Sequence, residues 1–225
     1  MHYIRAMFAA EVGHILRKEF KLEFAQKFPF TGMLLYIFST VFICYLSLYQ
    51  IIDVKTWNAL FWILSLFAAV NAVAKSFLQE SAGLNLYYYT FIDPQALIIA
   101  RILYNMLLLT VLMLLTYFIY ALLIGNLVQN HGMFILCIVL GSCGLSSVLT
   151  IVSAISARGS NSSAMMAILG FPLLFPLLIT ILKFSKNIID GIPWSVSYKY
   201  AMVLMAINII TITLGYILFP YLWRE

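Results

Sequence analysis

Six unbroken apolar stretches, each about as long as a bilayer is thick, constrain this chain more than any other feature. They run over residues 31–52, 57–78, 95–124, 133–157, 164–184 and 198–221. A membrane-spanning helix needs roughly 20 apolar residues in succession. The apolar positions are continuous and do not alternate every second residue, which excludes a β-barrel. Of 225 residues, 64% are hydrophobic and 9% charged, whereas a soluble domain carries roughly 25% charged residues. So much apolar surface cannot be hidden in one aqueous core, and the surplus must face lipid. The sequence predicts an all-α polytopic membrane protein with six transmembrane helices.

Residues 1–28 form a separate unit. Phe8, Val12, Ile15, Leu16 and Phe24 fall at helical spacing, and Arg5, Arg17, Lys18 and Lys21 add positive charge. Glu11, Glu19 and Glu23 intrude near the apolar face. This predicts an amphipathic helix lying on the cytoplasmic leaflet, broken at Pro29 where the chain turns into the membrane. The long apolar run that follows does not suit a cleaved signal peptide. Residues 29–225 make the transmembrane domain.

Lysine and arginine are enriched on the cytoplasmic side of membrane proteins. With the N-terminus inside, Arg5, Arg17, Lys18, Lys21, Lys27, Lys75, Arg101, Arg158 and Arg224 are cytoplasmic, and Lys55, Lys183, Lys186 and Lys199 are outside. Nine against four predicts both termini in the cytoplasm of a bacterial inner membrane protein. The net charge of +5 reflects this bias and not nucleic-acid binding.

Chemistry inside the membrane is sparse. Asn71, Asn105, Asn208 and scattered Ser and Thr suit hydrogen bonds between helices. Paired carboxylates, an HExxH motif and a Ser–His–Asp set are missing, and so is the GxxxxGK[ST] loop that would bind ATP. The chain therefore reads as a non-enzyme with no directly bound cofactor. Cys44, Cys137 and Cys143 sit in apolar runs without a CxxC, as small packing residues do. His131 lies in an outer loop beside Asn130; it is of a type that can ligate haem iron, but a solvated loop histidine explains it. Trp57, Trp194 and Trp223 suit interfacial anchoring. Pro172 and Pro176 share one face of the fifth span and are predicted to kink it. Such kinks either shape a pathway or simply set the packing geometry.

The longest polar interruption runs from Ala74 to Arg101. Gln79, Glu80 and Ser81 end the second span, Gly83 permits a turn, and Leu84, Leu86, Tyr87 and Tyr88 supply an apolar and aromatic patch. Asp93 and Pro94 then read as the cap and first turn of the third span. A short cytoplasmic element of this kind, over about residues 79–93, suits a helix-in-groove partner.

The order of these features resembles the CcmB family, haem exporter protein B of cytochrome c maturation. The resemblance rests on the basic N-terminal helix, on Gln79–Arg101 between the second and third spans, on Ala157–Arg158–Gly159 after the fourth, and on Pro172 and Pro176 in the fifth. Tyr87–Tyr89 replace a more aliphatic run, and Glu80 has no neighbouring Asp. The resemblance implies an ABC-2-like permease subunit driven by a separate CcmA-like ATPase that binds the ATP. Gln79, Glu80, Gly83, Leu84, Leu86 and Tyr87 would form the docking contact. It further implies a role in haem handling, with haem either the cargo itself or the load of a released chaperone, that chaperone and other maturation subunits as partners, and a homodimer within the complex. Alternative readings are an exporter permease for lipid, polysaccharide or drug, and a non-transporting membrane scaffold.

Overall fold

The computed structural model describes residues 2–25, 28–48, 52–73, 93–157 and 162–224. They form seven helices: α1 (His2–Ala25), α2 (Phe28–Leu48), α3 (Val54–Val73), α4 (Pro94–Leu123), α5 (His131–Ser156), α6 (Ser162–Ile189) and α7 (Trp194–Arg224). Helices α2 to α7 are each long and apolar enough to cross a membrane, and there is no strand among the described residues.

Local chemistry sets the helix boundaries. Asp53 caps α3: its side chain accepts from Thr56 N at 3.2 Å and also from the Thr56 hydroxyl. Asp93 caps α4, accepting from Gln95 N at 3.1 Å with Pro94 in the first turn, as the sequence predicts. Asn130 caps α5, accepting from Met133 N at 3.1 Å. Helix α6 ends in a Schellman turn, with Ile192 N bonded to Asn187 O at 2.9 Å, Gly191 N bonded to Ile188 O at 3.2 Å, and Gly191 at φ +72°.

Several boundaries differ from the sequence reading. The fifth and sixth spans run on to Ile189 and start back at Trp194, which shrinks the expected loop over 184–197 to residues 190–193. Lys186, which falls in that expected loop, lies on α6 with an exposed side chain, as do Lys183 on α6 and Lys199 on α7; their long stems let the charge reach the interface while the backbone stays helical. Pro29 lies inside the first turn of α2 rather than ending the helix before it, a position where its missing N–H costs nothing. Helix α6 continues through both Pro172 and Pro176.

Helix α5 is the hub, packed against α3, α4, α6 and α7. Its small residues make this possible. A methyl group on Gly141 would lie 2.9 Å from the Trp62 ring of α3, and one on Gly144 would lie 2.5 Å from Leu177 of α6 and 2.7 Å from Asn208 Oδ1 of α7. Close helix approach through small residues is how membrane helices gain van der Waals contact without a hydrophobic driving force. Outward faces, such as Leu35, Phe38 and Ile43 of α2 and Ile209 and Ile210 of α7, are exposed and apolar, as lipid contact requires.

Candidate functional site

The two ends of the bundle are built differently. At one end meet the starts of α3 and α5 and the ends of α4 and α6. Trp57, Phe61, Tyr120 and Phe134 are fully buried there, with Trp57 and Tyr120 rings edge-to-face at 4.9 Å. Trp57 Nε1 donates to Gly125 O at 3.0 Å, and Tyr120 OH donates to Trp57 O at 3.2 Å. One turn deeper, Ser185 Oγ donates to Asn58 Oδ1 at 2.6 Å and accepts from Trp62 Nε1 at 2.8 Å, while Asn58 Nδ2 donates to Leu182 O at 3.0 Å. The α3–α6 contact is thus closed by three side chains whose polar atoms satisfy one another. The sequence reading did not find this network, although the i, i+4 spacing of Asn58 and Trp62 was available as a signal.

The same end carries His131. Asn126 Oδ1 accepts from Val128 N at 3.0 Å, so its Nδ2 faces His131 Nε2 at 2.7 Å and the imidazole nitrogen accepts. His131 therefore braces its own loop. Among the described residues, no group of three or more His, Cys, Asp or Glu side chains could hold a metal ion. Asp53 titrates below the usual carboxylate range, chiefly because of the Thr56 hydroxyl and then the Thr56 N–H.

At the opposite end meet α1, the start of α4 and the ends of α5 and α7. Val12 and Ile15 of α1 are buried against Ala96, Leu97, Ile98 and Ala100 of α4, together with Ala154 of α5 and Phe219 of α7. Glu11 Oε1 accepts from Asp93 N at 3.0 Å, and the Phe20 ring meets Tyr104 edge-to-face at 5.3 Å. Helix α1 therefore runs alongside the first turns of α4 in the same direction. Val12, Ile15 and Leu16 of its apolar face are taken up by protein, and His14, Arg17 and Lys21 remain exposed. With 30 residues, α4 is about 45 Å long at 1.5 Å per residue, more than the roughly 30 Å hydrocarbon core. Arg101, only 2% exposed, lies in this first part of α4.

The expected docking residues Gln79, Glu80, Gly83, Leu84, Leu86 and Tyr87 lie outside the described residues. The nearest described positions flanking them are Val73, the last residue of α3, and Asp93, where Glu11 is bonded. Pro172 and Pro176 are exposed on the outward face of α6 beside Phe171 and Phe175.

A bundle of six helices, each long and apolar enough to cross a membrane, with buried polar side chains such as Asn58, Asn105, Ser185 and Asn208 bonded across helices, defines a polytopic membrane protein. The CcmB protein family profile matches residues 10–221, nearly the whole chain, and the chain belongs to that family. Membership makes it a permease component of haem export for cytochrome c maturation, and a multi-pass inner membrane protein. No curated protein matches the chain.

Proposed function

We propose that the chain is the transmembrane subunit of an ABC-type complex, driven by a separate CcmA-like ATPase that docks on residues 79–93. Family membership over residues 10–221 carries this reading. It is supported by the absence of a P-loop in the sequence, so that ATP must be hydrolysed elsewhere. The bond from Asp93 N to Glu11 also supports it, because it ties the exit of the docking segment to both α1 and α4. A push on that segment then bears on two helices at once. Both termini and residues 79–93 are cytoplasmic in this reading, two copies pair within the complex, and the work serves haem delivery to a chaperone for cytochrome c assembly.

Affinity purification of the tagged chain with its ATPase tests the proposal. Glu80→Lys and Gly83→Trp should each lose the ATPase from the purified complex and lower holocytochrome c, with the chain still inserted in the membrane. Full ATPase recovery and normal cytochrome c in both variants would overturn the docking assignment.

A further inference from the structure

We infer that α6 is a hinged helix, with a fixed half from Leu177 to Ile189 and a swinging half from Ser162 to Pro176. Its use in transport rests on the permease reading above; the hinge itself stands on the packing of α6.

The burial pattern of α6 changes abruptly at Pro176. From Leu177 onward, Leu177, Thr180, Ile181, Phe184, Ser185, Ile188 and Ile189 are buried at helical spacing. Before it, Ile168, Phe171, Pro172, Leu173, Phe175 and Pro176 are exposed, and Gly170 is the one buried position among the described side chains there. The contacts differ in kind as well. Leu177 and Ile181 fill the spaces left by Gly144 and Gly141 on α5, where a methyl group would come within 2.5 Å and 3.4 Å of them. Ser185 adds the bonds to Asn58 and Trp62. At Gly170, by contrast, a methyl group would lie 3.7 Å from Val152, an ordinary van der Waals distance. One half of α6 is clasped by fully buried side chains, whereas the other meets the core through the half-buried Met166, Leu169 and Leu174.

The two prolines stand where the clasp ends. Pro172 has no N–H for the carbonyl of Ile168, and Pro176 has none for that of Pro172. Two rungs of the helix ladder, four residues apart, are therefore missing. A helix gripped on one side of such a gap and only half-buried on the other bends there at little cost. Thr180 Oγ1 bonds to Pro176 O at 2.8 Å, adding a side-chain bond to the helix ladder on the clasped side.

Double electron–electron resonance on the full chain in lipid nanodiscs, with Cys44, Cys137 and Cys143 replaced by Ala, tests this. One labelled pair joins Leu107→Cys on α4 to Ile168→Cys on the swinging half; the other joins Leu107→Cys to Ile179→Cys on the fixed half. All three sites are exposed. The Ile168 pair should give a distance distribution about twofold broader than the Ile179 pair, as hinge motion predicts. Pro172→Ala combined with Pro176→Ala should narrow it to the width of the Ile179 pair. Equal widths in the unsubstituted chain, or a broad Ile168 distribution that survives loss of both prolines, would overturn the hinge. Complementation by the unsubstituted chain in a cytochrome c assembly assay tests the permease reading separately, since its failure leaves the measured distances untouched.

Discussion

The hydroxyl of Ser185 on α6 donates to Asn58 Oδ1 on α3 at 2.6 Å and accepts the Trp62 indole N–H at 2.8 Å. One small side chain therefore satisfies two larger ones in a place where water cannot. Ser185→Ala should leave the Trp62 donor and the Asn58 acceptor unpaired and cost about 1–3 kcal/mol. Thermal unfolding in detergent measures this. Combining Asn58→Leu with Ser185→Ala should recover part of the loss, since an apolar pair leaves fewer orphaned groups; strictly additive losses would contradict the coupling.

Gly144 and Gly32 should respond in opposite senses to the same substitution. A methyl group on Gly144 meets Leu177 and Asn208, whereas one on Gly32 meets nothing within 4 Å. Gly144→Ala should destabilise by about 1–3 kcal/mol through overpacking. Gly32→Ala should stabilise α2 by up to about 1 kcal/mol through helix propensity. Leu177→Ala in the Gly144→Ala background should relieve the collision, which unfolding midpoints of the three variants would reveal.

The Asp53 cap should make the start of α3 pH-dependent. The folded carboxyl titrates below its ordinary value, mainly because the Thr56 hydroxyl and N–H bond to its ionised form. A lowered folded value means the cap's contribution is complete above the ordinary carboxylate range and is lost as pH falls through the folded value. Thr56→Val should move the loss to higher pH. An NMR titration of Asp53 that is identical in both chains would refute this.

Ala10 and Leu127, both exposed, lie at opposite ends of the bundle. Single cysteines at these positions should react oppositely with a membrane-impermeant maleimide in intact cells lacking the outer barrier. Position 127 should label and position 10 should not. Labelling in the reverse sense would invert the topology proposed from the charge bias.

Much of the fold was legible because bilayer solvation acts on each segment independently. A run such as residues 133–157 must be a helix whatever its neighbours do, because its backbone polar groups find no partners in lipid. The cap at Asp93 is similarly local. The span ends were less legible. Lys186 fell in the expected loop by its charge, while its side chain extends from α6. The expected docking residues from Gln79 to Tyr87 rest on the sequence and the family alone.

By itself, then, the sequence determined the number of spans, a helix ahead of the first of them and the family, each of which depends on composition and order along the chain. Only the tertiary structure decided that α5 is the hub, that Asn58, Trp62 and Ser185 close one end, and that α1 binds α4 through Glu11 and Asp93. It also decided that Pro172 and Pro176 stand where the clasp on α6 stops. In lipid, every face of an apolar helix is an acceptable surface, so hydropathy does not say which face finds protein. That choice falls to shape, where a glycine admits a leucine, and to the few polar atoms that must find one another across helices.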